Sequence, residues 1–426
     1  LLALADDAGV DLHPGTNLGA DALSSDLVAV ATLARDHGVL GVVADGAAAH
    51  DRGASDVQEL GHAIAAGVAA LRTLVDAGFT VAQAAEIVEL RLAATDEQFP
   101  TIAKLRAARR LWSRVLELSG APDVPVRVHA VTSRPSLAKY DPWVNMLRGT
   151  VAAFAAGVGG AEAVTVVPFD EPLGVPDAFG RRIARNTSSL LISESHVARV
   201  ADPAGGAYAV ERLTDDVAVA AWDELGRLEA VGGLAAAIAD GSQQERIAAV
   251  VAERDRQVAL RTRPITGLSE FPHLGETLPE RAPTTAAEVR RYGAAFEALR
   301  DEPAASTVLL ATMGPVAAHT ARATFATNLL AAGGVAVDVA GPTDGPEALA
   351  AAHAGQRVVV LAGADAAYAE WGAAAVEALR AAGAAYVVLA GKPGERTVPE
   401  ELVDDSCAMG VDALAFLTRV REELAQ

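Results

Sequence analysis

The chain has 426 residues, and 35 Lys and Arg stand against 55 Asp and Glu, for a formal net charge of −20. So acidic a surface repels phosphate backbones and anionic bilayers, which excludes nucleic acid and membrane surfaces as natural partners. A single cysteine, Cys407, rules out a disulfide framework and a cysteine-based zinc cluster, and a reducing, cytoplasmic compartment is expected.

The first residue is Leu rather than Met and no signal peptide is visible, so the natural N-terminus is expected to be missing. Uncharged stretches such as Gly149–Ala161 are too short for a bilayer. In the first half, β-branched apolar runs at Val39–Asp45, Val126–Thr132 and Ala163–Phe169 read as strands, with a fourth around Thr16–Gly19. Between them Val57–Asp76, Val81–Leu92, Ile102–Leu118 and Trp143–Val158 carry amphipathic helical spacing. Ser55 or Asp56 is placed to cap the first of these, with Glu59 near capping-box spacing. Alternating strands and long helices predict parallel β/α units, too few for a closed eight-stranded barrel. From residue 178 to 262 the pattern is helix after helix, broken by a turn at Asp202–Gly206.

Arg263–Pro283 holds four prolines and two glycines, but Leu268, Phe271 and Leu274 are apolar anchors. A flexible spacer would lack them, so this linker is expected to lie along a protein surface. Thr284–Leu299 reads as one helix. Strands then follow at Thr307–Thr312, Val335–Val339, Arg357–Leu361 and Ala385–Leu389, with a weaker fifth at Cys407–Val411. Helices are expected at Ala321–Ala332, Pro346–Ala354, Ala366–Ala382 and Ala413–Leu424. Five such units in so short a span suit a flavodoxin-like doubly wound sheet, whose ligands sit beyond the strand ends.

Candidate chemistry is sparse. The loop Met313–Thr320 has only Gly314 where a phosphate cradle needs several glycines, and its lone His319 reads as structural more readily than as a metal ligand. His50 and Asp51 follow the first strong strand and could do acid–base work or be solvated loop. His129 sits within a strand that ends in Thr132 and Ser133, where a satisfied core histidine is the plainer reading. Arg182 and Arg185 share a helix face and could grip an anion, though ion pairs with Asp170 or Glu171 explain them more simply. No paired-carboxylate motif, Ser-His-Asp arrangement or His-x-x-x-His spacing emerges.

Several longer segments carry a resemblance. Gln98–Arg109, Asp141–Gly149, Arg182–Thr187, Asp202–Tyr208, and Pro264-Ile265-Thr266 with Ser269-Glu270-Phe271-Pro272 together resemble the methylmalonyl-CoA mutase family, and in particular the small (β) subunit of its heterodimeric form. The match runs from about residue 10 to the C-terminus. The resemblance implies a (β/α)₈ TIM barrel, here partial, over residues 1–262. It implies a linker and helix over 263–305 and a degenerate cobalamin-binding-type flavodoxin-like domain over 306–426.

The departures from the family pattern set the functional expectation. Catalytic relatives carry Asp-x-His-x-x-Gly after the first strand of the last domain, and the matching positions here are Val316, Ala318 and Ala321, with His319 one place late. The family's Ser-x-Leu appears as Gly363-Ala364-Asp365, where Asp365 would face the corrin tail, and its Gly-Gly pair as Ala390-Gly391. In the barrel, Ala48 stands at the catalytic histidine position, Val131 at a substrate-contacting Gln, and Arg134 at the following Gly, where it would crowd the barrel mouth. The resemblance therefore implies a non-catalytic subunit, inactive alone, with no catalytic, cofactor-binding or metal-binding residue. Adenosylcobalamin and acyl-CoA are expected on a catalytic large (α) subunit in a heterodimer. That isomerase interconverts methylmalonyl-CoA and succinyl-CoA in propionate metabolism. Two other readings stay open: a catalytic mutase that binds cobalamin without the usual His ligand, and a ligand-binding or regulatory module on a degenerate mutase scaffold.

Overall fold

The computed structural model describes residues 2–285, 287 and 289–426. The chain is an α/β protein with two all-parallel five-stranded sheets, each within its own compact unit. Unit 1 comprises Leu1–Leu137, Pro142–Ala252 and Glu280–Arg291; unit 2 comprises Ala138–Asp141, Glu253–Pro279 and Tyr292–Gln426. Among the described residues no helix is long and apolar enough to cross a membrane.

Unit 1 opens with α1 (Leu2–Ala8), β1 (Asn17–Asp21), α2 (Leu27–Asp36), β2 (Leu40–Asp45), a short α3 (Gly46–Asp51), and α4 (Asp56–Asp76). It continues through α5 (Val81–Glu86), β3 (Val88–Ala94), α6 (Gln98–Leu118), β4 (Val128–Thr132), α7 (Val144–Val158) and β5 (Ala163–Thr165). The strands pair in consecutive order, β1-β2-β3-β4-β5. The third strand is a correction to the expected helix over Val81–Leu92, which ends at Glu86. Its residues alternate: Val88, Leu90, Leu92 and Ala94 join the main core, while Glu89 and Arg91 face the other side of the sheet. There Arg91 meets Asp45 at 3.3 Å and Glu89 lies 3.5 Å from His129. The last strand covers only Ala163–Thr165, shorter than the run to Phe169 that its apolar residues suggest.

The helical stretch beyond the sheet resolves into α8 (Ala178–Ser193), α9 (Tyr208–Ala230), α10 (Leu234–Ala239) and α11 (Ser242–Ala259). The long helices α4, α6 and α9 pack on one another. Gly67 makes this possible, because a Cβ there would stand 2.6 Å from the Trp112 ring. Ser55 caps α4 in a capping box whose second member is Gln58. Glu59, the expected partner, turns instead into the core, fully buried.

Residues 280–291 belong to unit 1 as a strap. Val175 pairs with Ala282, and the Arg290 amide donates to the Asp51 carbonyl at 3.0 Å. The helix expected over Thr284–Leu299 therefore begins only at Ala294, as α12 (Ala294–Asp301); Ala286 and Glu288, within the expected span, lie outside the described residues.

Unit 2 continues with β6 (Val308–Thr312), α13 (Val316–Ala332), β7 (Val337–Val339), α14 (Pro346–Ala352) and β8 (Val358–Ala362). Next comes a helix that starts at Asp365, passes through a π turn at Tyr368–Gly372 and runs on to Ala381, then β9 (Tyr386–Ala390), β10 (Asp405–Cys407) and a last helix over Ala413–Leu424. The fifth strand begins two residues before its expected start. Strand order is β10-β9-β8-β6-β7, so the winding reverses at β6. Strands β6 and β8 are buried along their whole length, as continuous apolar runs covered on both faces require. Val308, Leu310, Val358 and Val360 pack on one face against Leu329, Leu330 and Phe416, while Leu309, Val359, Leu361 and Val387 pack on the other against Leu349, Val376 and Leu379.

Candidate functional site

The carboxyl ends of parallel strands are where α/β sheets bind ligands, because loops and helix starts converge there. Each unit has such an end, and the two are lined differently.

In unit 1, His50 and Asp51 lie at the end of α3 rather than in a loop. His50 is buried, and its Nε2 is 2.7 Å from Ser133 Oγ, at the end of β4. Its Nδ1 is 3.4 Å from Glu59 Oε2. Glu59 accepts from the Ala93 amide at 2.5 Å and from Lys104 Nζ at 2.6 Å, and Lys104 also reaches Asp56 at 2.7 Å. Burial on its own would raise the Glu59 carboxyl, but Lys104 and His50 hold it below its ordinary value. Burial likewise opposes the Lys104 ammonium, and Asp56 and Glu59 outweigh it and raise its pKa. The result is a hydroxyl–imidazole–carboxylate chain closed by an ammonium. Spacing in the sequence gives no sign of it, because Ser133 and His50 are 83 residues apart. The Ser133 amide is engaged with the Ala94 carbonyl, and the Ser136 amide donates to Ser133 Oγ.

Next to this chain of contacts is an ion-pair clasp. Arg134 bridges Asp51 at 3.0 Å and Glu171 at 2.8 Å and donates to the Ala287 carbonyl. Burial raises the Asp51 pKa against the opposing pull of Arg134. His50 and Asp51 thus serve different partners. Ala48 and Val131 bring no polar side chain to the strand ends. Thr132 Oγ1 accepts from the Val167 amide. His129 is satisfied by Thr165 at 2.8 Å, but it stands half-buried on the polar face of the sheet rather than in the core. Arg182 and Arg185 are exposed, and the Arg182 guanidinium stacks 5.4 Å from the Phe179 ring centre. The ion pairs expected for them are made by others: Asp170 pairs with Arg281 at 2.6 Å and Glu171 with Arg134.

In unit 2 the segment after β6 is not a loop as far as Thr320, because α13 starts at Val316 directly after Pro315. Gly314 takes a left-handed φ of 77° and its amide donates to the Thr343 carbonyl. Val316 is exposed and Ala318 offers no donor atom. His319 is buried in the first turn, its Nδ1 3.2 Å from the Gly314 carbonyl, so the ring is tied to its own chain. Beyond β8 and β9, Arg322 donates to the Gly363 carbonyl, pairs with Asp365 at 2.5 Å and lies 4.7 Å from the Tyr368 ring centre. The Tyr368 hydroxyl donates to the Ala390 carbonyl at 2.8 Å. Arg322 and Lys392 border a cavity of about 670 Å³ together with Phe325, Gly391, Cys407 and Met409. Burial pushes the Cys407 thiol up to about 12, which keeps it protonated and inert. Among the described residues no group of three or more His, Cys, Asp or Glu could hold a metal ion.

Residues 37–335 match the family model described as methylmalonyl-CoA mutase. The chain belongs to the methylmalonyl-CoA mutase family. It is 49% identical to the methylmalonyl-CoA mutase small subunit of Streptomyces virginiae, an alignment covering 100% of this chain and 73% of that protein. It is 45% identical to the probable methylmalonyl-CoA mutase small subunit of Mycobacterium tuberculosis (strain ATCC 25618 / H37Rv), over 92% of this chain and 66% of the relative. The mitochondrial methylmalonyl-CoA mutase of Bos taurus is 36% identical over 52% of this chain and 30% of its own length. The chain thus spans about two thirds to three quarters of these two small subunits.

Proposed function

We propose that this chain is the non-catalytic small subunit of an adenosylcobalamin-dependent methylmalonyl-CoA mutase. In this reading it supports a catalytic large subunit that interconverts methylmalonyl-CoA and succinyl-CoA by radical rearrangement of the carbon skeleton. Unit 1 then carries five strands of a (β/α)₈ barrel, and the sheet of unit 2 is a flavodoxin-like domain of cobalamin-binding type. Residues 1–262, 263–305 and 306–426 are its barrel, linker and cobalamin-type regions. Cobalamin and acyl-CoA sit on the large subunit, and the complex works in the cytoplasm.

One observation supports the reading: the positions that match the family's cobalt-ligand motif hold Val316 and Ala318, and ion pairs of Arg134 and Arg322 stand at the two strand ends. A protein ligand to the cobalt would have to come from a side chain with a donor atom at the start of α13. Val316 and Ala318 supply no donor, His319 is turned to the Gly314 carbonyl, and Arg322, paired with Asp365 and stacked on Tyr368, borders the cavity of about 670 Å³ beyond β9. These residues do not fit the cofactor, so no step is assigned to it on this chain. In unit 1 Arg134 pairs with Asp51 and Glu171 just beyond β4, and in this reading that clasp crowds the barrel mouth.

The test is reconstitution. This chain alone should leave the visible spectrum of adenosylcobalamin unchanged and show no turnover, and it should copurify with the large subunit as an active complex. A spectral change abolished by His319→Ala would favour a catalytic chain with an unusual ligand. Titration with CoA esters that shows tight binding to the isolated chain would favour a separate ligand-binding module.

A further inference from the structure

Residues 265–276 are held with unusual firmness for a linker. Leu268 and Ser269 are fully buried. Ser269 Oγ accepts from the Ile265 amide at 2.8 Å, while the amides of Leu268 and Ser269 donate to the Ile265 carbonyl. The Gly267 amide donates to the Glu270 carbonyl at 2.7 Å, closing a tight turn. Buried Arg300 then spans the far side, donating to the Gly267 and His273 carbonyls and pairing with Glu276 at 2.7 Å.

This frame displays one side chain. Phe271 is 70% exposed, and Leu274 nearby in sequence is exposed as well. Phe271 also has a φ of 54°, a left-handed backbone that a bulky residue rarely adopts, and it precedes Pro272, which narrows its choices further. The other two left-handed non-glycine residues described in unit 2 meet the same segment. Arg261, at φ 54°, pairs with Glu270 at 3.3 Å. Asp141, at φ 49°, donates its amide to Glu276 and packs against Gly267, where a Cβ would come within 2.7 Å of it. Strain gathered at one place and over-determined by buried hydrogen bonds marks a functional segment. Here it aims an aromatic ring at solvent.

We infer that Phe271 is an anchor for the large subunit. This deepens the small-subunit reading and rests on it. The relatives that match across most of the chain are named small subunits, a term that requires a larger partner. A rigidly presented aromatic is the usual centre of an interface, since little side-chain entropy is lost when it docks. The net charge of −20 sets the chemistry of the receiving surface: an apolar pocket rimmed by Lys or Arg.

The experiment measures the affinity of this chain for its large subunit by sedimentation or biolayer interferometry. Wild type is compared with Phe271→Ala and Phe271→Leu, and each variant's thermal midpoint is recorded. Phe271→Ala should weaken the complex on the order of tenfold or more, Phe271→Leu less, and neither should shift the midpoint, because the ring is exposed in the isolated chain. Faster association at low salt for all three proteins is expected from the charge rim. If wild type forms no complex with the large subunit, both this inference and the small-subunit reading fall. If wild type binds and Phe271→Ala binds equally well, this inference alone falls. It falls too if the alanine variant only lowers the midpoint, or only abolishes self-association.

Discussion

The two strand ends are built by opposite chemistry. In unit 1 the space is taken by a buried, fully charged cluster, with Glu59 and Lys104 both out of solvent and His50 and Ser133 extending the chain of contacts. In unit 2 a cavity remains, bordered by Lys392 and by Arg322, which is stacked on Tyr368 and paired with an Asp365 that is 72% exposed. A buried charge cluster is intolerant of losing a member, because whatever remains is left charged without water. A rim ion pair is screened and contributes little. The first region is therefore a structural keystone, and the second is a rim pair that could be removed with small consequence for the fold.

The largest expected effect follows from that contrast. Lys104→Met should destabilise unit 1 by about 3–5 kcal/mol, since it strands Glu59 without its ammonium; urea titration measures it. A loss below about 1 kcal/mol would erase the distinction between the two regions. Next comes pH. The Glu59 pKa is lower in the folded chain than its ordinary 4.5, so its contribution is complete above that value and fades as pH falls through the folded pKa. Stability should accordingly drop on acidification, and Glu59→Gln should flatten that part of the curve while lowering the plateau. A steeper curve in the variant would contradict the assignment.

Ser133→Ala should cost about 1–3 kcal/mol, the penalty for a buried imidazole nitrogen without its hydroxyl. The turnover of the reconstituted complex, per folded complex, should stay unchanged; a collapse of turnover at unaltered stability would give Ser133 a chemical role. The smallest effect is that of Arg322→Ala, expected to cost less than about 1 kcal/mol. A loss as large as that of Lys104→Met would make Arg322 a second keystone.

Much of the fold is legible because parallel sheets write themselves as apolar runs between amphipathic helices, and every strand of unit 2 falls within a few residues of such a run. The strand Val88–Ala94 is harder to see, because Glu89 and Arg91 interrupt its apolar run and the preceding helix shares its composition. Alanine hides the start of α13: Val316–Ala332 has scarcely any amphipathic contrast, so its first turn reads as loop. The departures at Ala48, Val131, Val316 and Ala318 are expectations from the resemblance, each at a single position. The side-chain pairs at the strand ends have no such signal. Glu59 meets Lys104 across 45 residues and Arg134 meets Asp51 across 83, and only the folded chain brings such pairs together. The pairing of Asp170 shows the same limit, since its partner Arg281 lies 111 residues downstream and outside any helix-spacing rule.

The order in which the polypeptide visits its two units has a practical consequence. It alternates between them, with Ala138–Asp141 and Glu253–Pro279 assigned to one and Glu280–Arg291 returned to the other. No single scissile bond therefore separates two contiguous, self-sufficient pieces. Truncation near residue 262 would strip away the strap that engages Asp51 and Asp170. Expression of either half should give poorly folded material, and the two stretches must mature together.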